Sequence, residues 1–313
     1  MSKSKPKYLF AGLGTMGFSM AGHLSKLKDI DLFIFNRSRH VSKKWLSNYE
    51  GQEFIKDNLS EIKFNGLILC LKDDASILNI LLKKKFIEHV KPNGFILDHS
   101  TTSLELIKKV SLNNYFCSNN LSYFDAPVSG GEIGAINGNL SIMIGGPNRR
   151  IKNLKKMMSS YSKSTIKVGP SGHGQLTKMV NQLCIAGLLQ GLSEAIILGK
   201  TSNLNMNKVF EAISGGAAQS WQMDNRFKTM VDDNFDFGFA VDLMIKDLRI
   251  ALKQANFNNL NLKTSSDTEV LIELFEIIGE ESLTKFEGMF SGCIYNQTKK
   301  SLFLFRDHFG IKP

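Results

Sequence analysis

Short apolar runs alternate with amphipathic stretches through the first half of the chain. Tyr8-Leu9-Phe10-Ala11, Leu32-Phe33-Ile34-Phe35, Leu67-Ile68-Leu69-Cys70-Leu71, Phe95-Ile96-Leu97 and Tyr123-Phe124-Asp125 have the continuity of strands buried on both faces. Helix-period segments stand between them, among them Phe18–Lys28, Asp74–His89 and Ser103–Val110. This alternation predicts βαβ units and a parallel sheet covered by helices, an α/β Rossmann-type doubly wound domain.

From about residue 170 the pattern changes. Gly172-His173-Gly174 is a turn signal, and a helical pattern follows from Gln175 to about Lys200. Gly187 and Gly191, four apart on one of its faces, would let another helix approach closely. Helical patterns continue over Met206–Ser214, Ala240–Ala255 and Thr268–Ile278, and in a C-terminal piece ending near His308. The expectation is an α/β domain over 1–170 and an all-α domain over 171–313, joined by one long helix. The apolar stretch Leu183–Leu198 is interrupted by Gln190, Ser193 and Glu194, so it reads as a buried helix rather than a bilayer span.

Composition narrows the choice of partner. The 313 residues are 42% hydrophobic and 22% charged, which excludes a disordered chain. The net charge of +10 is scattered in short lysine runs without interleaved aromatics, so an acidic small molecule is expected and nucleic acid is not. Four dispersed cysteines without a CxxC pair, and histidines without metal spacing, predict no zinc site and no disulfide scaffold. The basic start, Met1–Lys7, lacks an apolar region, and a cytoplasmic protein without membrane attachment is expected.

Gly12-Leu13-Gly14-Thr15-Met16-Gly17 fits GxGxxG between a strand and a helix. In that setting the first Gly permits a tight turn, the second admits a pyrophosphate and the third lets helix and strand pack. The helix N-terminus then faces the anion with unpaired N–H groups. The second strand ends at Asn36, where an NAD site usually carries an acid. Asn36-Arg37-Ser38 offers donors and a guanidinium fork instead, so the expected cofactor is NADP, with NAD possible. A solvated basic turn that tolerates either cofactor is the bland alternative. Farther on, Lys178, Asn181 and Gln182 share one face of an otherwise apolar helix, and such a polar group needs partners.

Four ordered motifs carry a resemblance: Gly12–Ala21, Asp125-Ala126-Pro127-Val128-Ser129-Gly130-Gly131, Gly172–Gln182 and Lys246-Asp247-Leu248. In these the chain resembles the β-hydroxyacid dehydrogenases of the 3-hydroxyisobutyrate dehydrogenase family, which include tartronate semialdehyde and glyoxylate/succinic semialdehyde reductases. The resemblance implies that Lys178 is the catalytic acid/base and that Ser129, Gly130 and Gly131 hold the substrate carboxylate, with Asn181 and Gln182 beside it. It implies that Lys246 reaches the nicotinamide end of the cofactor. By analogy, Leu71 and Lys72 after one strand and Thr101 after the next complete the cofactor site. Several members carry Asn where this chain has Gln182, which bears on substrate choice. The implied substrate is a small carboxylate-bearing aldehyde or hydroxy acid, and the implied assembly a homodimer or homotetramer. A 6-phosphogluconate-type decarboxylase would need a larger helical domain and a His in the lysine motif. A dinucleotide-binding sensor or scaffold would not need Lys178. An NAD-preferring 3-hydroxyisobutyrate-type dehydrogenase remains open.

Overall fold

Apolar runs too continuous for a surface form the strands of the structure, and the polar-punctuated stretches between them form the helices that cover the sheet. The computed structural model describes residues 4–55, 61–235, 238–257, 272, 275, 279–285, 291–296 and 300–306. The chain begins β1 (Lys7–Ala11), α1 (Thr15–Ser25), β2 (Asp31–Phe35), α2 (Arg39–Leu46), β3 (Gln52–Glu53), β4 (Phe64–Leu69) and α3 (Asp74–Leu78). It continues β5 (Val90–Asp98), α4 (Leu104–Ser111), α5 (Asn114–Ser118), β6 (Ser122–Asp125), β7 (Val128–Ser129), α6 (Gly131–Ile136), β8 (Leu140–Gly145), α7 (Ile151–Met158) and β9 (Ser162–Gly169). Four helices follow: α8 (His173–Thr201), α9 (Met206–Ile213), α10 (Trp221–Val231) and α11 (Val241–Phe257).

The sheet runs in the order β3-β2-β1-β4-β5-β6-β8-β7, with β9 pairing β8. The strands from β3 to β6 are all parallel, as the strand runs predict, whereas β8 lies antiparallel to β6 and β7. Because β1 stands between β2 and β4, the chain order reverses at β1/β4, and loops from adjacent strands diverge there to leave a crevice. Alternate residues feed two cores. Phe10, Leu97 and Phe124 pack on one face with Met20, Leu24, Trp45 and Tyr161, while Leu9, Ile96 and Tyr123 pack on the other with Phe54, Phe64 and Phe86. A smaller core joins Leu192 and Ile196 of α8 to Met223 and Phe227 of α10.

Several elements depart from expectation. The helix expected over Asp74–His89 is broken: a π-turn spans Asn79–Lys83, a 3-10 turn spans Phe86–His89, and Lys85 between them is left-handed at φ 58°. A regular helix burying Ile77, Ile80 and Leu81 would next turn Lys84 and Lys85 inward, and the break exposes both while burying Phe86 and Ile87. The long helix forms, but only 22% of its most apolar window is buried, and Val180, Leu183, Ile197 and Leu198 are exposed. Its length and composition would suffice to cross a bilayer. Nothing outside the helix's own backbone lies within 4 Å of a Cβ built on Gly187 or Gly191, so the close helix contact expected there is not made among the described residues.

Two compact units divide the chain at residues 250/251, so that α8 to α10 and the start of α11 belong with the sheet. In the second unit, Ser291–Asn296 and Ser301–Arg306 form an antiparallel hairpin, β10–β11, where helix was expected. Leu302-Phe303-Leu304-Phe305 is a short continuous apolar run with two aromatic residues, a composition that suits a strand. Phe303 packs on Phe275 with ring centroids 4.9 Å apart. The helix expected over Thr268–Ile278 lies almost wholly outside the described residues.

Phe124 is fully buried on β6, the strand that leads to the site. Phe124→Ala is expected to cost roughly 3–5 kcal/mol through lost packing and a cavity. Urea unfolding should show this as a lower midpoint with little change in slope.

Candidate active site

The glycine loop is built as its spacing requires. Gly12 takes φ +104°, and a Cβ there would meet the Cys70 carbonyl at 2.2 Å. A Cβ on Gly17 would lie 1.9 Å from the Gly12 carbonyl, so only glycine lets α1 start against the loop. Gly14, by contrast, is exposed with nothing within 4 Å of a built Cβ. The N-terminus of α1 carries no side-chain cap and no acid in its first turn, and Thr15 beside it is exposed while Met16 is half-buried. Unpaired N–H groups, a positive dipole end and an open Gly14 fit a dinucleotide pyrophosphate.

Asn36 is committed to the loop itself. Its Oδ1 accepts from the buried Leu13 N–H at 3.0 Å and its amide donates to the Ser38 carbonyl at 3.2 Å. The donor expected to face a ribose phosphate is therefore spent on the backbone. Arg37 is exposed at the end of β2, and Ser38 precedes α2 without capping it.

The loops after β4 and β5 are tied together and then to α8. Leu71 N–H donates to Ser100 Oγ at 2.8 Å, while Lys72 is exposed. Gln175, fully buried, accepts from Thr102 N–H at 3.1 Å and donates from Nε2 to the Ser100 carbonyl at 2.7 Å. The start of α8 is fastened by the buried carboxylate of Asp125, which accepts from Gly172 N–H at 2.7 Å and Gln175 N–H at 2.9 Å. This is an N-cap supplied from another strand, satisfying two orphan donors of the helix. A Cβ on Gly174 would stand 2.5 Å from the Asp125 carbonyl, so that glycine lets the helix press against β6.

One turn along α8, Lys178 is 7% exposed and makes no hydrogen bond or ion pair with another described residue. Burial pushes its ammonium down to about 8, partly opposed by the Asp247 carboxylate and reinforced by Lys246. Gln182 is turned toward α11: its Nε2 donates to Asp247 Oδ2 at 2.7 Å, and its Oε1 accepts from Asn181 Nδ2 at 2.8 Å. Lys246 Nζ donates to the Thr101 carbonyl at 2.6 Å and stands 3.0 Å from Asp247 Oδ1, an ion pair without hydrogen-bond alignment. Lys178, Asn181, Gln182, Thr101 and Lys246 thus meet in one cluster, and Leu71 joins it through Ser100.

Among the described residues no hydrogen bond links the Ser129–Gly131 turn to that network. Ser129 pairs with Ser141 of β8, and Gly130 and Gly131 take φ +127° and +62° at the exposed start of α6. His99 is held from both sides of its ring. Its Nδ1–H donates to the Ala126 carbonyl at 2.7 Å, so Nε2 accepts from Tyr161 Oη–H at 2.9 Å, and burial pushes it down to about 4. His173 is exposed on the first turn of α8. Sequence reasoning passed over Asp125 as a cap, Gln175 as a loop clamp and Asp247 as the partner of Gln182. A polar residue within an apolar helix face was the available signal for Gln175.

The glycines should separate by experiment. Gly14→Ala is expected to leave the unfolding midpoint unchanged and to weaken binding of a nicotinamide dinucleotide by about tenfold or more, whereas Gly17→Ala should lower the midpoint itself.

Comparison with known proteins places this geometry. Residues 7–169 match the NAD binding domain of 6-phosphogluconate dehydrogenase, and residues 172–283 match the NAD-binding domain of NADP-dependent 3-hydroxyisobutyrate dehydrogenase. An uncharacterized oxidoreductase of Shewanella frigidimarina is 42% identical over 261 residues, 83% of this chain and 89% of that protein. The 2-hydroxy-3-oxopropionate reductase of Escherichia coli is 36% identical over 149 residues, 48% of this chain and 51% of that protein. The solved 3-hydroxyisobutyrate dehydrogenase of Mycobacterium tuberculosis, with L-serine, superimposes at a TM-score of 0.74 and 21% identity, covering 88% of this chain and 95% of that one. At that identity the likeness is one of fold.

Proposed function

Because the chain belongs to the β-hydroxyacid dehydrogenase family and is an NAD(P)-dependent oxidoreductase, we propose that it interconverts a short semialdehyde or 2-oxo acid and its hydroxy acid, with NADP as cofactor and Lys178 as acid/base. The observation that carries this reading is a buried ammonium, lowered to about 8 and without a hydrogen-bond or ion-pair partner among the described residues, beside residues that fasten a loop after β5. The dinucleotide would lie along Gly12–Gly17, with Arg37 and Ser38 at its ribose end and Leu71, Lys72, Thr101 and Lys246 toward its nicotinamide. The bound cofactor supplies or receives the hydride. For reduction, Lys178 donates a hydrogen bond to the carbonyl oxygen, stabilises the negative charge gathering there and delivers its proton. For oxidation, the neutral amine takes the proton of the alcohol. Successive N–H groups at Ser129, Gly130 and Gly131 would hold the acid group. In this reading residues 1–170 bind the dinucleotide and 171–313 serve substrate and assembly as a homodimer or homotetramer in the cytoplasm.

Relatives bearing dehydrogenase and reductase names do not favour a non-catalytic sensor or scaffold. NADP over NAD rests on Asn36-Arg37-Ser38, where no carboxylate stands to repel a 2′-phosphate.

NADPH oxidation with glyoxylate and with succinic, methylmalonic and tartronic semialdehydes tests the activity. Lys178→Ala should lower kcat by about 10²-fold or more, and an unchanged rate would remove Lys178 from the chemistry. Reduction needs the charged lysine, so its rate should fall as pH rises through about 8, and oxidation of the hydroxy acid should rise over the same interval. Arg37→Asp should weaken NADPH by about tenfold and spare NADH. Tighter NADH binding by the parent would overturn the NADP assignment.

A further inference from the structure

We propose that Gln175 is a positioning residue: its buried amide clamps the backbone on both sides of Thr101 and sets the loop after β5, with the nicotinamide it would hold, against Lys178. The inference rests on the cofactor reading above and deepens it. An amide offers one donor and one acceptor at the spacing of a peptide edge, and Gln175 uses both, accepting from Thr102 N–H and donating to the Ser100 carbonyl. Its own backbone N–H is tied to Asp125, so the clamp is anchored at its root. Gln175 and Lys178 are three positions apart, which places them on one face of α8. From the opposite side, Lys246 of α11 holds the Thr101 carbonyl between the two clamped residues. Ser100 in turn receives the Leu71 N–H, and the Cys70 carbonyl next to it abuts Gly12. A continuous set of contacts therefore runs from the glycine loop to the turn of α8 that bears Lys178. Burial at 0% exposure and pairing at both ends leave this side chain no role toward solvent. A carboxylate at 175 could accept from Thr102 but would face the Ser100 carbonyl without a proton to offer. The same group protonated restores both bonds.

Gln175→Met and Gln175→Glu, with the parent, would be followed by NADPH fluorescence titration and by the unfolding midpoint without cofactor. At about pH 8 both variants should bind NADPH about tenfold more weakly and lose kcat on the aldehyde acid that the parent reduces, with KM for that acid little changed. At about pH 5, where a buried carboxyl is protonated, Gln175→Glu should recover most of its NADPH affinity and Gln175→Met should not. A purely structural residue would show the loss in the midpoint without this pH-dependent return of affinity. Parent-like NADPH binding by a folded Gln175→Met, or no recovery in Gln175→Glu at low pH, would overturn the clamp and leave the proposed activity standing. A parent that binds neither NADPH nor NADH would overturn the cofactor reading and the clamp together.

Discussion

The carboxylate of Asp125 decides how α8 meets the sheet. It closes β6 in the interior of the sheet and accepts two N–H bonds from the first turn of α8, so a strand end and a helix start are locked at hydrogen-bond distance. Burial raises its pKa, and the backbone donors around it oppose that rise. A helix end without such a partner would leave buried N–H groups unpaired, at about 1–3 kcal/mol each. With it, the helix enters at a set angle and its next turn carries a lysine inward. Gly174 completes the arrangement by letting the helix backbone approach β6 more closely than any side chain would permit.

Burying an ammonium is costly unless something compensates, and the compensation here is indirect. Asp247 lies on α11 and is engaged by Gln182 and Lys246, so its negative charge reaches Lys178 through space rather than by contact. Burial still dominates, and the ammonium is left lowered to about 8. The neighbouring amides are orientated by one another, with Asn181 donating to Gln182 and Gln182 to Asp247.

Much of this was legible in the chain. Continuous apolar runs located five of the six strands from β1 to β6, and GxGxxG in strand–loop–helix context located a loop whose three glycines prove sterically distinct. The two-residue β3 and β7, and β9 with the weak alternation of Ser162–Gly169, escaped because they carry little periodic signal, whereas the apolar run of β8 was simply not singled out. The C-terminal hairpin escaped because a short continuous apolar run such as Leu302–Phe305 cannot be told from a helix segment by periodicity alone. Within the site, the polar trio on α8 was visible as an oddity on an apolar helix. Its internal bonding was not, because the turn of Gln182 toward α11 depends on Asp247, sixty-five positions away. Asn36 teaches the same lesson: a residue type suited to bind a phosphate is used to brace the Leu13 N–H.

The two reactive-looking side chains nearest these loops have been electrically silenced. His99 is held as a single neutral tautomer between Ala126 and Tyr161 and does not charge until about pH 4, and burial moves the Cys70 thiol up to about 12. An imidazole and a thiol, the groups most readily credited with ionisations near neutrality, therefore bracket the interval around pH 8 without titrating in it. Neither group would place a bell or shoulder in that interval, and reagents that hunt for thiolates would pass Cys70 by.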